Sequence, residues 1–224
     1  MRLRFALALS TLLLGAAPLG AQTADFKFVD PGIPGVKNTR ALGSYGANSF
    51  YVGPYDGIET VGTTQTKLFL YCVDFAHEIN TGDVWNANVT NLAGALGGHT
   101  RYSDATLYKQ AAWLTTQYAS HPTSTEDIQD AIWYLFQPTL WSPSNSAFAN
   151  ANWWVSQAKA LNLASMDFSS FRVVTDNTPS AQTGEKQEFI IRVTSTPEPA
   201  STTLLVTGLV GVYGAVRRRR KLVG

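Results

Sequence analysis

Residues 124–136 read STEDIQDAIWYLF, and this stretch predicts an amphipathic helix around which the chain is organised. Ser124 can cap its N-terminus, and the acidic residues Glu126 and Asp127 suit the positive end of the helix dipole. Apolar residues recur at helical spacing and form one stripe: Ile128, Ala131, Ile132 and Leu135. Gln129 lies one position off this stripe, so the sequence places an uncharged amide at the edge of a core.

Two further helices are predicted beside it, over residues 103–118 with Ser103 as the cap and over residues 145–163. Strands are predicted before and after the helices, over residues 49–53, 64–75, 85–92, 171–175 and 187–193. The order of strands, a central helical block and more strands predicts an α+β fold. An N-terminal signal helix and a single C-terminal transmembrane helix are expected in addition.

The strongest strand signal, TQTKLFLYCVDF, covers residues 64–75. Both of its alternating faces are apolar near the end, which predicts a central strand buried on both sides. Cys72, the only cysteine of the chain, lies near the end of this strand and should be sheltered. The preceding segment 54–57, Pro-Tyr-Asp-Gly, is interpreted as a turn.

The first residues predict export. Arg2 and Arg4 precede an apolar run and then small residues, which together indicate a secretory signal peptide over residues 1–21. Cleavage after Ala21 and cleavage after Ala24 both fit the pattern. In an exported protein a lone cysteine is a buried small hydrophobe, an intermolecular linker or a reactive thiol, and these three interpretations stay open at this point.

The C-terminal residues form a three-part tail. It consists of Pro197, Glu198 and Pro199, then the uncharged segment 200–216, then a basic cluster of Arg217, Arg218, Arg219, Arg220 and Lys221. A helix over the uncharged segment would be about 25 Å long, the short limit for a membrane span. The basic cluster should stay in the cytoplasm, which places the N-terminal bulk of the chain outside.

This tail resembles the PEP-CTERM sorting signal of exopolysaccharide-producing, mostly Gram-negative bacteria. The resemblance implies anchoring in the inner membrane, processing near Pro-Glu-Pro by an exosortase, and delivery to the cell envelope or extracellular surface. A plain C-terminal anchor without processing is the alternative, with the same orientation. The expected division is a signal peptide over residues 1–21, an extracytoplasmic domain over 25–195 and a sorting tail over 196–221.

Charge excludes one class of partner. The whole chain has a formal charge of +1, but most of the excess basic residues lie in its two terminal segments. The remaining domain keeps 10 basic and 15 acidic residues, a net charge of −5. Nucleic-acid binding requires a basic footprint, so no nucleic-acid partner is expected. No cofactor or metal is expected either.

Two short motifs, Tyr71-Cys72 and Gln129-Asp130-Ala131-Ile132-Trp133, are similar to those of the thioester domains at the tips of bacterial surface adhesins. The resemblance implies a covalent bond between Cys72 Sγ and Gln129 Cδ, formed with loss of ammonia. It also implies a thioester environment that includes Tyr71, Asp74, Ala131, Ile132 and Trp133. Ile128 stands where that family usually has a hydroxyl residue.

The chemistry explains the two residue types. Sulfur is a strong side-chain nucleophile and leaves well as a thiolate, whereas an amide carbonyl needs orientation and desolvation before it reacts. The resulting thioester is an activated acyl group. An amine of a surface or of the extracellular matrix would attack the Gln129 carbon and expel Cys72. The expected function is therefore covalent adhesion, not enzymatic turnover.

Weaker alternatives concern other side chains. The second function is a non-covalent structural or carbohydrate-binding component of the exopolysaccharide matrix, with an inert Cys72 and sugar-stacking candidates at Trp141, Trp153 and Trp154. A cysteine hydrolase using His77 lacks a visible oxyanion-hole motif. A metal site is disfavoured because the spacing of its candidate ligands fits neither zinc nor calcium patterns: Asp74, His77, Glu78 and Asp83. Asp127 and Asp130 are interpreted as a cap residue and a solvated residue.

Overall fold

The computed structural model describes residues 22–31, 37–38, 50–139, 149–178 and 185–193. The predicted signal peptide over residues 1–21 and the predicted tail over 196–221, with its membrane segment 200–216, lie outside these ranges. Across the residues that the structure describes, every helix is too short or too polar to span a bilayer.

Eight strands and three helices make up the described part of the chain. The strands are β1 (Gln22–Asp30), β2 (Lys37–Asn38), β3 (Phe50–Tyr51), β4 (Tyr55–Val61), β5 (Thr64–Cys72), β6 (Val84–Asn91), β7 (Phe171–Asp176) and β8 (Phe189–Arg192). The helices are α1 (Ala105–Thr115), α2 (Thr125–Phe136) and α3 (Ala149–Lys159), with short 3-10 turns at Pro122–Ser124 and Leu163–Ser165.

Six strands close into an antiparallel barrel in the order β1-β4-β5-β8-β7-β6, with β6 pairing back to β1. The prediction of an α+β fold built on a central helical block is therefore wrong, because the described fold is mostly β. The three helices do lie between β6 and β7 in the chain, as predicted. However, the strands before and after them join one closed sheet, since β5 pairs with β8 and β6 with β7.

Two barrel strands were not predicted, and each omission has a physical reason. β1 begins at Gln22, directly after the signal-like run, and its alternating inward residues Ala24, Phe26 and Phe28 were not recognised as a strand. β4 begins at Tyr55 inside the segment interpreted as a turn, because Asp and Gly favour turns. Without these two strands the sheet cannot close.

The central strand β5 is not buried on both sides along its length. Residues 64–67 are exposed, and Phe69 on the outer face is 51% exposed, while Leu70 and Cys72 point into the core and are fully buried. Further along the outer face, Tyr71 packs against the core that the helices form with Val173 of β7 and Ile190 of β8.

The fold has two cores. The first lies inside the barrel and includes Phe26, Leu70, Trp85, Val174 and Phe189. The second lies between the helices and the outer side of the sheet and includes Tyr108, Leu114, Ile132, Val173 and Ile190. Neighbouring residues of β7 and β8 thus belong to different cores, as the alternation of side chains along a strand requires.

Helix α2 links the two cores. Its prediction over residues 124–136 is confirmed to within one residue, and its apolar stripe is buried in the outer core. Trp133 points the other way and joins the barrel core, where its ring contacts Phe75 edge-on at 4.8 Å between ring centroids. Ser124 does not cap the helix with its side chain, and α1 is capped by Asp104 in place of Ser103.

Gly57 is required for the packing of β4 against β5. A Cβ at this position would lie 2.6 Å from Leu70 Cδ1 and 2.7 Å from Leu70 Cγ, and Leu70 is fully buried. We expect Gly57→Ala to reduce the free energy of unfolding by about 2 kcal/mol through overpacking, measured by urea denaturation. Gly94→Ala is the matched control, because its nearest atom would be the Asn91 carbonyl oxygen at 3.7 Å. Equal effects of the two substitutions would contradict this account.

Candidate functional site

Cys72 is the last residue of β5, where it pairs with Phe189 of β8. Its side chain points into the barrel core and is fully buried. The thiol donates a hydrogen bond to the backbone oxygen of Asp74 at 3.2 Å. The end of the strand therefore holds the sulfur in one orientation at the boundary between the barrel and α2.

Burial raises the pKa of the Cys72 thiol from 9.0 to about 12. The Trp133 indole N–H opposes this shift in the pKa, although no hydrogen bond of good geometry joins it to the sulfur. The Asp74 carboxylate raises the pKa further. At neutral pH the sulfur is therefore a protonated thiol, which is protected from oxidation and from ordinary alkylation.

Gln129 meets Cys72 directly. Its side-chain nitrogen Nε2 donates to the backbone oxygen of Cys72 at 2.8 Å. The structure thus brings together the two residues that the sequence places 57 positions apart. Gln129 is fully buried. Its amide lies where α2 packs against the end of β5, at the boundary between the two cores.

The carbonyl oxygen of Gln129 accepts two hydrogen bonds. Tyr118 Oη donates to Oε1 at 2.9 Å, and the backbone N–H of Gly53 donates at 3.4 Å. Gly53 has a φ of 97°, which favours glycine at the position that supplies this N–H. Two donors on one carbonyl oxygen polarise the carbonyl carbon and would stabilise negative charge on the oxygen during acyl transfer.

Tyr118 keeps its proton. Burial, followed by the neighbouring tyrosines Tyr55 and Tyr71, raises the pKa of Tyr118 well above its ordinary value. Its ring stacks on that of Tyr71 with centroids 5.8 Å apart and an interplanar angle of 16°. The hydroxyl is therefore a fixed donor to Gln129 across the whole physiological pH range.

The remaining residues of the expected thioester environment fall into three places. Ala131 and Ile132 are residues of α2 and are fully buried in the outer core. Trp133 lies in the barrel core, next to Cys72. Tyr71 is half-buried, directly precedes Cys72 in β5, and stacks its ring on that of Tyr118. The predicted sorting motif 197–199 and basic cluster 217–221 lie outside the described residues.

Asp74 anchors the loop that follows Cys72. Its carboxylate is 1% exposed and accepts a hydrogen bond from the Ala76 N–H at 2.9 Å. It also contacts His77 Nδ1 at 2.7 Å and Arg101 Nε at 2.9 Å. Arg101 in turn pairs with Glu185 at 2.7 Å. This ion-pair network holds the backbone oxygen to which the Cys72 thiol donates.

A second buried carboxylate supports the same network. Glu188 is fully buried and accepts hydrogen bonds from the Arg101 N–H, Thr175 Oγ1 and Tyr108 Oη. Burial raises the pKa of Glu188 above its ordinary value, and the bonds from Thr175 and Tyr108 oppose the shift. Its backbone oxygen accepts from the Val73 N–H at 3.0 Å, which fixes the residue after Cys72.

The alternative chemistries find no support in these contacts. The Cys72 thiol donates to a backbone oxygen, and His77 contacts Asp74, Glu185 and Arg101, so no Cys–His pair forms among the described residues. The same part of the chain contains no group of three or more His, Cys, Asp or Glu placed to bind a metal. Asp83, one of the four candidate ligands, pairs instead with Lys186 at 2.8 Å.

The exposed fractions of further side chains bear on other predictions from the sequence. Asp130 is fully buried, so its interpretation as a solvated residue is wrong, and Asp127 is 8% exposed. Of the sugar-stacking candidates, Trp154 belongs to the outer core, Trp153 is 53% exposed, and Trp141 lies outside the described residues.

Sequence reasoning missed Tyr118, Gly53 and Arg101 as members of the site. Tyr118 was predicted on the buried face of a helix over residues 103–118. It is buried, but it lies after the end of α1 at Thr115, and nothing in its local pattern indicated that it would meet Gln129. The only signal for Gly53 is the Gly53-Pro54 pair, a turn signature that carries no information about its partner.

Comparison with known proteins finds no match: no protein-family model, no curated protein and no solved structure matches this chain. The two family resemblances therefore depend on the quoted motifs alone.

Proposed function

We propose that this protein is an exported adhesion module that forms an internal Cys72–Gln129 thioester and uses it for covalent attachment to amines of a surface or of the extracellular matrix. The observation that carries the proposal is the arrangement of Gln129. Its nitrogen is held by the backbone of Cys72, and its oxygen is held by Tyr118 and Gly53. Both reacting residues are fully buried, which protects a thioester from water.

The thioester bond would form by transfer of the Gln129 acyl group from its nitrogen to the sulfur of Cys72. The sulfur of Cys72 attacks Gln129 Cδ, and the carbonyl oxygen takes up negative charge between the Tyr118 hydroxyl and the Gly53 N–H. The C–N bond then breaks, and the thiol proton passes to the leaving nitrogen, which departs as ammonia. Because the thiol is protonated at neutral pH, the fixed geometry of the two groups must supply most of the rate.

Attachment reverses the direction of transfer. A primary amine attacks the same carbon, the C–S bond breaks, and the Cys72 sulfur regains the proton that the amine loses. The product is an amide between Gln129 and the partner, with a free thiol at Cys72. The protein is consumed in this reaction, so the proposal is for a binding module and not for an enzyme.

The proposed route to the surface is export followed by sorting through the tail. In this proposal an exosortase-type enzyme processes the tail near Pro197, after the basic cluster has held it at the inner membrane. Strand β1 begins at Gln22, so cleavage after Ala21 would leave the strand whole. Cleavage after Ala24 would remove its first three residues and their pairs with β6, so the proposal takes Ala21 as the cleavage site.

Intact-mass spectrometry of the purified protein tests the proposal. We expect the mass to be lower than that of the unmodified chain by one ammonia, and we expect treatment with methylamine to raise it by the mass of one methylamine, bound as an amide at Gln129. Cys72→Ala should abolish both changes completely, since no nucleophile remains. Alkylation is done in denaturant, because burial and the raised pKa of Cys72 would make even a free thiol unreactive in the native protein.

The competing function is the non-covalent matrix protein with an inert thiol. The same three hydrogen bonds of Gln129 favour it, because they would also serve as a structural link between α2 and β5. An unmodified mass, a thiol fully alkylated in denaturant and no methylamine incorporation would establish this alternative and eliminate the thioester.

A further inference from the structure

A half-open cavity of about 440 Å³ lies at the end of the barrel near Cys72. Its walls combine aromatic rings with polar side chains from the loop after β5. The lining residues that matter for the argument are Tyr51, Tyr55, Phe75, His77, Glu78 and Trp133. Neither Cys72 nor Gln129 lines the cavity, and both are fully buried.

Trp133 separates the cavity from the reacting pair. It stands one helical turn after Gln129, and side chains of a helix lean toward its N-terminus, so the indole covers the turn that carries Gln129. Trp133 also belongs to the same barrel core as Cys72. The same ring therefore borders the cavity on one side and the Cys72–Gln129 pair on the other.

The geometry points to this cavity as the recognition site for the attacking group, a primary ammonium on a flexible stem such as a lysine side chain. This inference rests on the proposed thioester. Glu78 is exposed and supplies a carboxylate, and Tyr51, which is 43% exposed, supplies an aromatic ring of the kind that attracts a cation. Trp133 is the wall that must move before the amine reaches Gln129.

Charge complementarity favours a cation over a neutral or anionic ligand. The described residues that line the cavity include no lysine or arginine. Two basic side chains of neighbouring segments are engaged with carboxylates, since Arg101 pairs with Asp74 and Glu185, and Lys186 pairs with Asp83. The cavity therefore keeps the negative charge of Glu78. The net charge of −5 on the whole exported domain acts in the same direction at longer range.

Atoms and protons balance in the transfer step. The bound ammonium gives one proton to solvent and attacks Gln129 Cδ as a neutral amine. The carbonyl oxygen takes up the charge between Tyr118 and Gly53, the C–S bond breaks, and the departing sulfur takes the second proton from nitrogen. An amide and a protonated thiol result, with no further reactant.

The test compares two nucleophiles on the purified full-length chain by time-resolved intact mass. One is Nα-acetyl-lysine methylamide, which carries the ammonium and the stem. The other is hydroxylamine, which is small and uncharged at neutral pH. We expect Glu78→Gln and Tyr51→Ala each to lower the ratio of the lysine rate to the hydroxylamine rate about fivefold. Asp56→Asn is the matched control and should leave the ratio unchanged, because Asp56 is exposed on the outer face of β4, opposite Phe69 and outside the cavity lining.

A third variant tests whether Trp133 limits access to the Cys72–Gln129 pair. Trp133→Phe keeps an aromatic ring but shortens it, so we expect both nucleophiles to react several times faster, together with faster hydrolysis. If the cavity variants leave the ratio at the wild-type value while hydroxylamine still reacts, the cavity is not the recognition site and the thioester stands. If neither nucleophile changes the mass of the wild-type chain, the thioester and the cavity assignment fail together.

Discussion

Tyr118→Phe should slow the reaction of the thioester with methylamine about a hundredfold, since it removes the shorter of the two hydrogen bonds to the Gln129 carbonyl oxygen. The remaining donor, Gly53 N–H, lies at 3.4 Å and would have to carry the developing charge alone. The substitution changes no ring volume, so stability should fall by only about 1 kcal/mol. A large kinetic effect with a small stability effect is the signature of a preorganised donor.

The measurement is the rate of methylamine incorporation by intact mass, with folding checked by urea denaturation. Tyr71→Phe is the matched control. It removes the hydroxyl from the ring that stacks on Tyr118 and leaves the hydrogen bond from Tyr118 to Gln129 in place. We expect its rate within about twofold of the wild type. Comparable rates for Tyr118→Phe and Tyr71→Phe would show that the hydroxyl of Tyr118 does not act on the carbonyl.

Local patterns predicted the helices and several strands of this protein but not the way they assemble. Helix α2 carries a strong apolar period, so its boundaries follow from the sequence to within one residue. Closure of the barrel depends on pairings between distant segments, such as Cys72 with Phe189 and Phe26 with Trp85. A pattern read along one segment contains no information about which edge that segment will meet.

The candidate site was likewise predicted in part: its two central residues were predicted, but their surroundings were not. Cys72 and Gln129 were predicted from two short motifs, and the structure places them in hydrogen-bond contact. The donors around them come from segments whose local sequence predicts only a buried tyrosine at the end of a helix and a glycine at the end of a strand. Asp130 was expected in solvent because it is charged, yet the packing of α2 between two cores buries it completely. Tertiary context, not propensity, decides each of these positions.

Arg101→Met should destabilise the fold by about 3 kcal/mol, because it removes the guanidinium beside the buried carboxylate of Asp74 and leaves that group with the His77 ring and the Ala76 N–H. The guanidinium lies 2.9 Å from the carboxylate of Asp74, which is 1% exposed, and it also pairs with Glu185. Methionine retains much of the apolar stem of arginine, so the loss reflects charge more than packing. The free energy of unfolding from urea denaturation is the quantity to measure.

Lys186→Met is the matched control for this prediction. It breaks an ion pair of similar length, 2.8 Å between Lys186 Nζ and Asp83 Oδ2, but both side chains are about a quarter exposed to solvent. Exposed pairs contribute at most about 1 kcal/mol, so the two methionine variants should differ by about 2 kcal/mol. The difference matters for function because Asp74 holds the backbone oxygen that orients the Cys72 thiol. If both variants unfold at the same urea concentration, the ion pair to Asp74 does not stabilise the loop, and the orientation of the sulfur must come from the β5–β8 pairing alone.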